Sequence, residues 1–288
     1  VSATAERQTE LPASAAVLDQ AGAENFPVAS RVLPRRAREH LLALYGYARL
    51  VDDVGDEAPG DRSALLDEIE ADLDRIYLGA PARHALLGRL AHTIEACDLP
   101  RAPLQGLLEA NRRDQHVHHY GTFDELLAYC ELSANPVGRL VLHVFDMATP
   151  ERLALSDRVC TALQLAEHWQ DVVEDLQRGR VYLPAEDLER FGVSEYDLAE
   201  RPAPERVREL MAFEVARARS LLDHGAPLVG TLRGRHRVAV AAFVGGGYAA
   251  FAAIDAVGGD VSAGAPQATK GARTRATLRV LAGRRPRA

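Results

Sequence analysis

Acidic residues recur at helical spacing in two stretches of this chain, and both stand where a buried helix face would be expected. In the first, 45–57 (YGYARLVDDVGDE), Tyr45, Arg49, Asp52 and Asp56 share one stripe of a helix turning about 100° per residue. The second, 164–184 (QLAEHWQDVVEDLQRGRVYLP), continues a stripe from Cys160 through Gln164, Glu167, His168, Asp171, Asp175 and Arg178, while Leu165, Trp169, Val172, Val173 and Leu176 lie mostly on the other side. Carboxylates four residues apart repel by roughly 0.2–0.5 kcal/mol on an isolated helix, so Asp52/Asp56 and Asp171/Asp175 are locally unfavourable pairs. A divalent cation between them reverses that sign. A single DxxxD reads more readily as a solvated helix face. Here the first pair continues a helix that is apolar nearly all round between Leu41 and Ala48. Carboxylates in that setting must face a cavity, a counter-charge or an ion.

Oxygen ligands of this kind suit Mg²⁺, which keeps several waters and takes further ligands from substrate phosphates. The substrate should then carry a diphosphate, with the cation acting as a Lewis acid on the leaving oxygens. No GxxxxGK[ST] loop is present and no GxGxxG follows a strand, which disfavours nucleotide hydrolysis and a dinucleotide cofactor site; the run Gly245 to Gly247 lacks that context. The cluster His116, His118 and His119 has neither zinc-ligand spacing nor a matching partner group. Asp114 and His119 are expected to point into a polar cavity instead.

The elements that must hold these residues are helical. Apolar periodicity predicts a helix from Arg35 through the first acidic stretch, then helices over 63–78, 82–97, 103–116 and 122–133. Asn135-Pro136 and Gly138 predict a break between two helical halves, read equally well as a plain interhelical turn or as a place where a long ligand passes close to the backbone. A helix carrying the second acidic stretch exits into an extended RGRVYLP; a short helix and surface loop follow, then helices over 204–223 and 235–257. Strand signals are nearly absent, so the fold class is all-α.

The uncharged run 238–254 falls short of the ~20 residues that span a bilayer and contains three glycines, so it reads as a buried core helix. Residues 1–21 read as a loose leader with no continuous apolar segment, and a signal peptide is not expected. Residues 22–258 read as one domain; 259–288, with no acid after Asp260, reads as a basic tail expected to be partly disordered. A net charge of −7 argues against nucleic acid as a partner. Cys97, Cys130 and Cys160 are isolated, so reduced thiols and a cytoplasmic location are expected.

Taken together, YGYARLVDDVGDE, the middle segment YCELSANPVG and QLAEHWQDVVEDLQRGRVYLP resemble the trans-isoprenyl diphosphate synthases of the squalene/phytoene synthase type, over about residues 24–257. The resemblance implies a single-domain, isoprenoid synthase-type helical bundle around a central active-site cavity. It implies Mg²⁺ held by Asp52, Asp56, Asp171 and Asp175, and diphosphate oxygens met by Arg49 and Arg180, with Gln164 holding a diphosphate oxygen or a water on the metal. Glu167 stands where the family commonly has Asn, so it is either an extra metal ligand or a carboxylate of raised pKa. Phe26, Tyr45, Tyr129 and Tyr248 are the candidate aromatic faces for a carbocation, each worth about 0.5–2 kcal/mol.

Within the family, ENFPVAS, SANPVGRLVL and WQD followed by GRVYLP are most similar to the hydroxysqualene synthases of hopanoid pathways. Gln170 stands where squalene and phytoene synthases usually carry Arg. The implied reaction is Mg²⁺-dependent ionisation of presqualene diphosphate, rearrangement and quenching by water to hydroxysqualene, without NADPH. The alternative in the same class is a head-to-head condensing enzyme acting on farnesyl or a related prenyl diphosphate. A non-catalytic helical assembly or lipid-binding protein on the same scaffold is the alternative of another class. The basic tail and lipid substrate also predict peripheral association with anionic membrane.

Overall fold

The computed structural model describes residues 32–284. The expected leader over 1–21 and the candidate Phe26 lie outside the described residues. The first helix, α1 (Arg35–Asp56), buries Leu41, Leu44, Tyr47, Leu50, Val51 and Val54, the three-and-four spacing of a core-facing stripe. The Tyr47 hydroxyl donates to Leu104 O at 2.8 Å, satisfying a wholly buried polar group and fixing α1 against α4.

α2 (Arg62–Tyr77) starts where Asp61 accepts from Ala64 N; α3 (Ala85–Cys97) and α4 (Arg101–Arg113) follow. A reciprocal cap between Thr122 and Glu125 opens α5 (Phe123–Ser133). Only Ala134 separates α5 from α6 (Asn135–Val144), so the break expected at Asn135-Pro136 is present, with Pro136 in the first turn where its missing N–H costs nothing.

The second acidic stretch is not one helix. α7 (Pro150–Gln170) ends at Asp171, whose φ of −102° and ψ of 15° leave the helical region, and α8 (Val172–Gln177) resumes immediately. Asp171 N–H still reaches Glu167 O at 3.0 Å and Asp171 O accepts from Asp175 N at 2.8 Å, so the axis is interrupted without losing its ladder. The extended segment after α8 runs along the α4–α5 loop: Val181 N donates to His118 O and Ala185 N to Tyr120 O. Among the described residues no strand forms, and His119 and Val181 make an isolated parallel bridge.

α9 (Ala185–Phe191) and α10 (Glu195–Ala199) occupy the region expected as a surface helix and loop, yet Asp187 and Leu198 are buried. α11 (Glu205–Gly225), α12 (Leu228–Thr231), α13 (Gly234–Ala256) and α14 (Lys270–Leu281) complete the described chain. α13 is long and apolar enough to cross a membrane by composition, but 56% of its most apolar window is buried inside the bundle. It is the buried core helix the sequence predicts.

The tail expectation is corrected for the described part. α14 packs along α13 with Ala276 and Val280 buried in the common core. Gly245 makes this possible, since a Cβ there would stand 2.6 Å from Thr277 N. Charge composition hid the apolar residues four apart that bury this helix. The three cysteines are free thiols, as expected.

Candidate active site

The end of α1 and the segment after α8 bring the two acidic stretches into contact. Arg180 Nη2 lies 2.8 Å from Asp56 Oδ1, closing the first acidic stretch onto the second. Asp56 and Arg180 both act on Asp114 at the end of α4, and Asp114 Oδ2 accepts from the Tyr129 hydroxyl at 2.8 Å. The Tyr129 ring meets Tyr120, Tyr182 and His168, and His168 stacks on Tyr182 at 3.7 Å between centroids. His168 Nδ1 is 4.0 Å from Asp175 Oδ2. A small cleft is lined by His168, Asp175, Arg180, Tyr182, Val172 and Leu198.

These acids are poorly accommodated as anions. Asp52 is reached by solvent yet closely surrounded, as in an open cleft. That burial pushes it up to about 6, against the opposing hydrogen bond from Asn111 Nδ2 at 3.1 Å. Burial, then the Asp171 charge, pushes Asp175 up to about 7, while Asp171 is raised by burial and by Glu174. Burial raises Asp114 to about 6, although the Tyr129 hydrogen bond works the other way. His168 is driven down to about 3 by burial and by Arg180, so its ring is neutral at physiological pH.

A hard cation suits this donor set. It is all oxygen, its members repel one another, and Asp114 Oδ1 is buried with no protein partner. Among the described residues no three His, Cys, Asp or Glu side chains converge into a ready-made metal cage. Carboxylates drawn from the two stretches and completed by phosphate oxygens are the alternative that Mg²⁺ chemistry permits.

The other expected site residues are placed less uniformly. Arg49 lies 2.7 Å from Asp53 and is thereby engaged within α1. The Gln164 amide is 3.3 Å from His168 Nε2, whereas Asp175 lies near the other ring nitrogen. Glu167 is exposed at the end of α7, and Tyr45 is half-buried on α1. Tyr248 is buried, but its hydroxyl donates to Asp223 on α11 at 2.5 Å, a contact that ties two core helices rather than reaching a site acid. His119 does not enter a polar cavity: it is 57% exposed and pairs with Glu195 at 3.1 Å, because its side of the bridged segment faces solvent.

Sequence reasoning assigned no role to Asn111, His168 or Tyr182. His168 shared the acidic stripe and Tyr182 stood in RGRVYLP, so a signal existed for both. Asn111 gave none, because its partner Asp52 is 59 residues away.

Solved structures with this arrangement of helices include squalene synthase HpnC from Alicyclobacillus acidocaldarius, 44% identical, with a TM-score of 0.79 over 84% of this chain and 91% of that one. A dehydrosqualene synthase solved with a ligand superposes with a TM-score of 0.85 over 94% of this chain and 95% of that one, at 22% identity, a likeness of fold. The helical architecture is therefore the all-α isoprenoid synthase fold. The profile described as squalene/phytoene synthase matches residues 20–279, and the chain belongs to that family of enzymes. It is 34% identical to the hydroxysqualene synthase of Sinorhizobium fredii over 73% of this chain and 72% of that protein. It is also 34% identical to the 15-cis-phytoene synthase of Synechocystis over 70% of this chain and 64% of that protein.

Proposed function

We propose that this protein ionises presqualene diphosphate in a Mg²⁺-dependent reaction and quenches the rearranged cation with water, releasing hydroxysqualene and diphosphate. The observation that carries the reading is the Arg180–Asp56 pair, which joins the two acidic stretches beside a cleft lined by Tyr182 and His168. Similarity to hydroxysqualene synthases and to the HpnC squalene synthase supports it.

Asp52, Asp56, Asp171 and Asp175 would hold the magnesium, which supplies Lewis-acid stabilisation to the departing diphosphate. Arg180 offers a planar fork to phosphate oxygens, and exchanging Asp56 for substrate would free its second edge. Tyr182 lines the cleft, and Tyr129 and Tyr120 pack against its ring, so that this cluster would offer aromatic faces that stabilise a nearby cation without attacking it. Their hydroxyls stay protonated, because burial raises all three well above the ordinary tyrosine value. A neutral His168, stacked on Tyr182, adds a flat wall without positive charge.

A second reading rests on the 15-cis-phytoene synthase of Synechocystis, which is as similar as the hydroxysqualene synthases: head-to-head condensation of two prenyl diphosphates. Retained acids at all four aspartate positions weigh against a non-catalytic role. Incubation of pure protein with Mg²⁺ and either presqualene diphosphate or farnesyl diphosphate, without NADPH, separates these by mass spectrometry. Hydroxysqualene from presqualene diphosphate supports the proposal. Presqualene diphosphate or phytoene-type products formed from prenyl diphosphates, with presqualene diphosphate left unchanged, would move the protein to the condensing branch.

A further inference from the structure

The C-terminal helix pair carries a surface that the catalytic reading does not use. Lys270, Arg275 and Arg279 are exposed along α14, and Arg284 is exposed just beyond it. Leu278 lies among them with 60% of its surface exposed. The start of α13 adds exposed Arg233, Arg235 and Val238 at the same end of the pair, since Arg237 Nη2 donates to Leu281 O at 2.9 Å and brings the two termini together.

None of Arg233, Arg235, Lys270, Arg275, Arg279 and Arg284 forms an ion pair among the described residues. Asp260 is the last acid in the sequence, so α14 holds none of its own. Arg275 and Arg279 stand four residues apart on the exposed stripe, a like-charge pair that repels until an anion lies against it. The whole chain is nevertheless acidic, with a net charge of −7, so this basic face is a local departure from its charge balance.

We propose that the exposed face of α14, with the start of α13, docks on the surface of an anionic lipid bilayer. Guanidinium groups match headgroup phosphates, and Leu278 with Val238 can enter the interface between them. Protruding aliphatic side chains between arginines favour a lipid surface over nucleic acid, which would call for stacking aromatics or groove-reading side chains. The position also suits a substrate that dissolves in bilayers. Gln170, next to Asp171, donates to Pro266 O, and α14 begins only four residues later. The segment leading into the basic helix is therefore tied to the end of α7, next to the second acidic stretch.

The test is vesicle flotation of the full chain, with Arg275→Gln/Arg279→Gln and Leu278→Ser compared with the parent. The probes are vesicles of phosphatidylcholine with about 30 mol% phosphatidylglycerol, and vesicles of phosphatidylcholine alone. Each basic residue near an anionic surface contributes about 1 kcal/mol, so losing two lowers the partition coefficient about 30-fold. Binding should also collapse between about 0.1 M and about 1 M salt, as the screening length falls from ~10 to ~3 Å. Leu278→Ser should weaken binding several-fold with the salt dependence intact. All three proteins should keep the parent circular dichroism spectrum and Tm, since the changed side chains are exposed.

Equal binding to both vesicle types, no binding to the anionic ones, or parent-like binding by the double variant would overturn the proposal. So would binding of duplex DNA in place of vesicles. Asp171→Asn separates this inference from the catalytic one, because it should lose product formation and retain flotation.

Discussion

The Asp52 carboxylate accepts a hydrogen bond from Asn111 at 3.1 Å, and Asn111 in turn sits directly over Gly55. A Cβ on Gly55 would stand 2.1 Å from Asn111 Oδ1. The small residue one turn along α1 thus decides whether Asp52 keeps its neutral donor. Gly55→Ala should displace Asn111, destabilise the fold by about 1–3 kcal/mol through overpacking, and lower kcat/KM. Asn111→Ala in the same background should recover most of the stability but not the activity; a Gly55→Ala protein with parent-like Tm and turnover would contradict this.

Asp171 and Asp175 oppose each other and are both partly withdrawn from water, so either charge is a liability when no cation is bound. Asp175→Asn should raise the metal-free Tm at pH 8, abolish the Tm increase produced by Mg²⁺, and reduce product formation by about 100-fold or more. Differential scanning fluorimetry with and without Mg²⁺ reads the first two effects. A variant still stabilised by Mg²⁺ to the parent extent would remove Asp175 from the metal set.

The pH dependence of stability follows from the same groups. Asp52 and Asp114 stand at about 6 and Asp175 at about 7, all above the ~4 of an unfolded aspartate. Folded values above unfolded ones mean that the folded protein holds these protons more tightly. Their contribution is full below about pH 4 and is lost as pH rises through 6 to 7. Asp197, held low by Arg206, acts in the opposite sense at more acidic pH, and His168, held down to about 3 by burial, opposes the three aspartates up to about pH 6.5, a single group against three. The metal-free Tm should therefore fall between about pH 5 and about pH 8, and Mg²⁺ should raise it more at pH 8 than at pH 5. A Mg²⁺ effect of the same size at both pH values would refute the assignment.

Tyr129 combines a ring against Tyr120 and Tyr182 with a hydroxyl that donates to Asp114. Tyr129→Phe keeps the aromatic face and leaves Asp114 Oδ2 without its donor, costing about 1–3 kcal/mol of stability. Tyr129→Ala also opens the aromatic wall and should cost about 3–5 kcal/mol. If the face serves the cation, turnover should fall much further in the Ala variant than in the Phe variant at a temperature where both are folded. Equal losses of turnover would assign the role to the hydroxyl.

Arg180 is the group whose fork, rather than its charge alone, the site requires. Arg180→Lys keeps a cation near Asp56 but loses one edge of the guanidinium, and should lower kcat/KM about tenfold or more, with Tm little changed. Parent-like kinetics in Arg180→Lys would mean that a point charge is enough.

Much of the local architecture is legible in the residue pattern alone. Leu41, Leu44, Tyr47, Leu50, Val51 and Val54 repeat at helical spacing, and they do form the buried face of α1. Asn135-Pro136 marks the break between α5 and α6, and the apolar run 238–254 marks the core helix α13. Local periodicity and punctuation carry such information because each depends on residues within a few positions. The same locality explains the miss at α14. Its charge dominates the pattern, whereas its burial depends on Gly245, 32 positions before Thr277, letting another backbone approach.

What the sequence by itself determined is the chemistry available: two acidic pairs at helical spacing, an arginine after the second, and aromatic residues in YCELSANPVG and RGRVYLP. It could not say which of these side chains would meet. Tertiary structure turned Arg180 toward Asp56 across 124 positions, gave Asp52 its partner in Asn111, and sent the Tyr248 hydroxyl to Asp223. The physical reason is that an unpaired charge is costly to bury, so each group takes the counter-group that helix packing brings within reach, and that packing is fixed by the core as a whole.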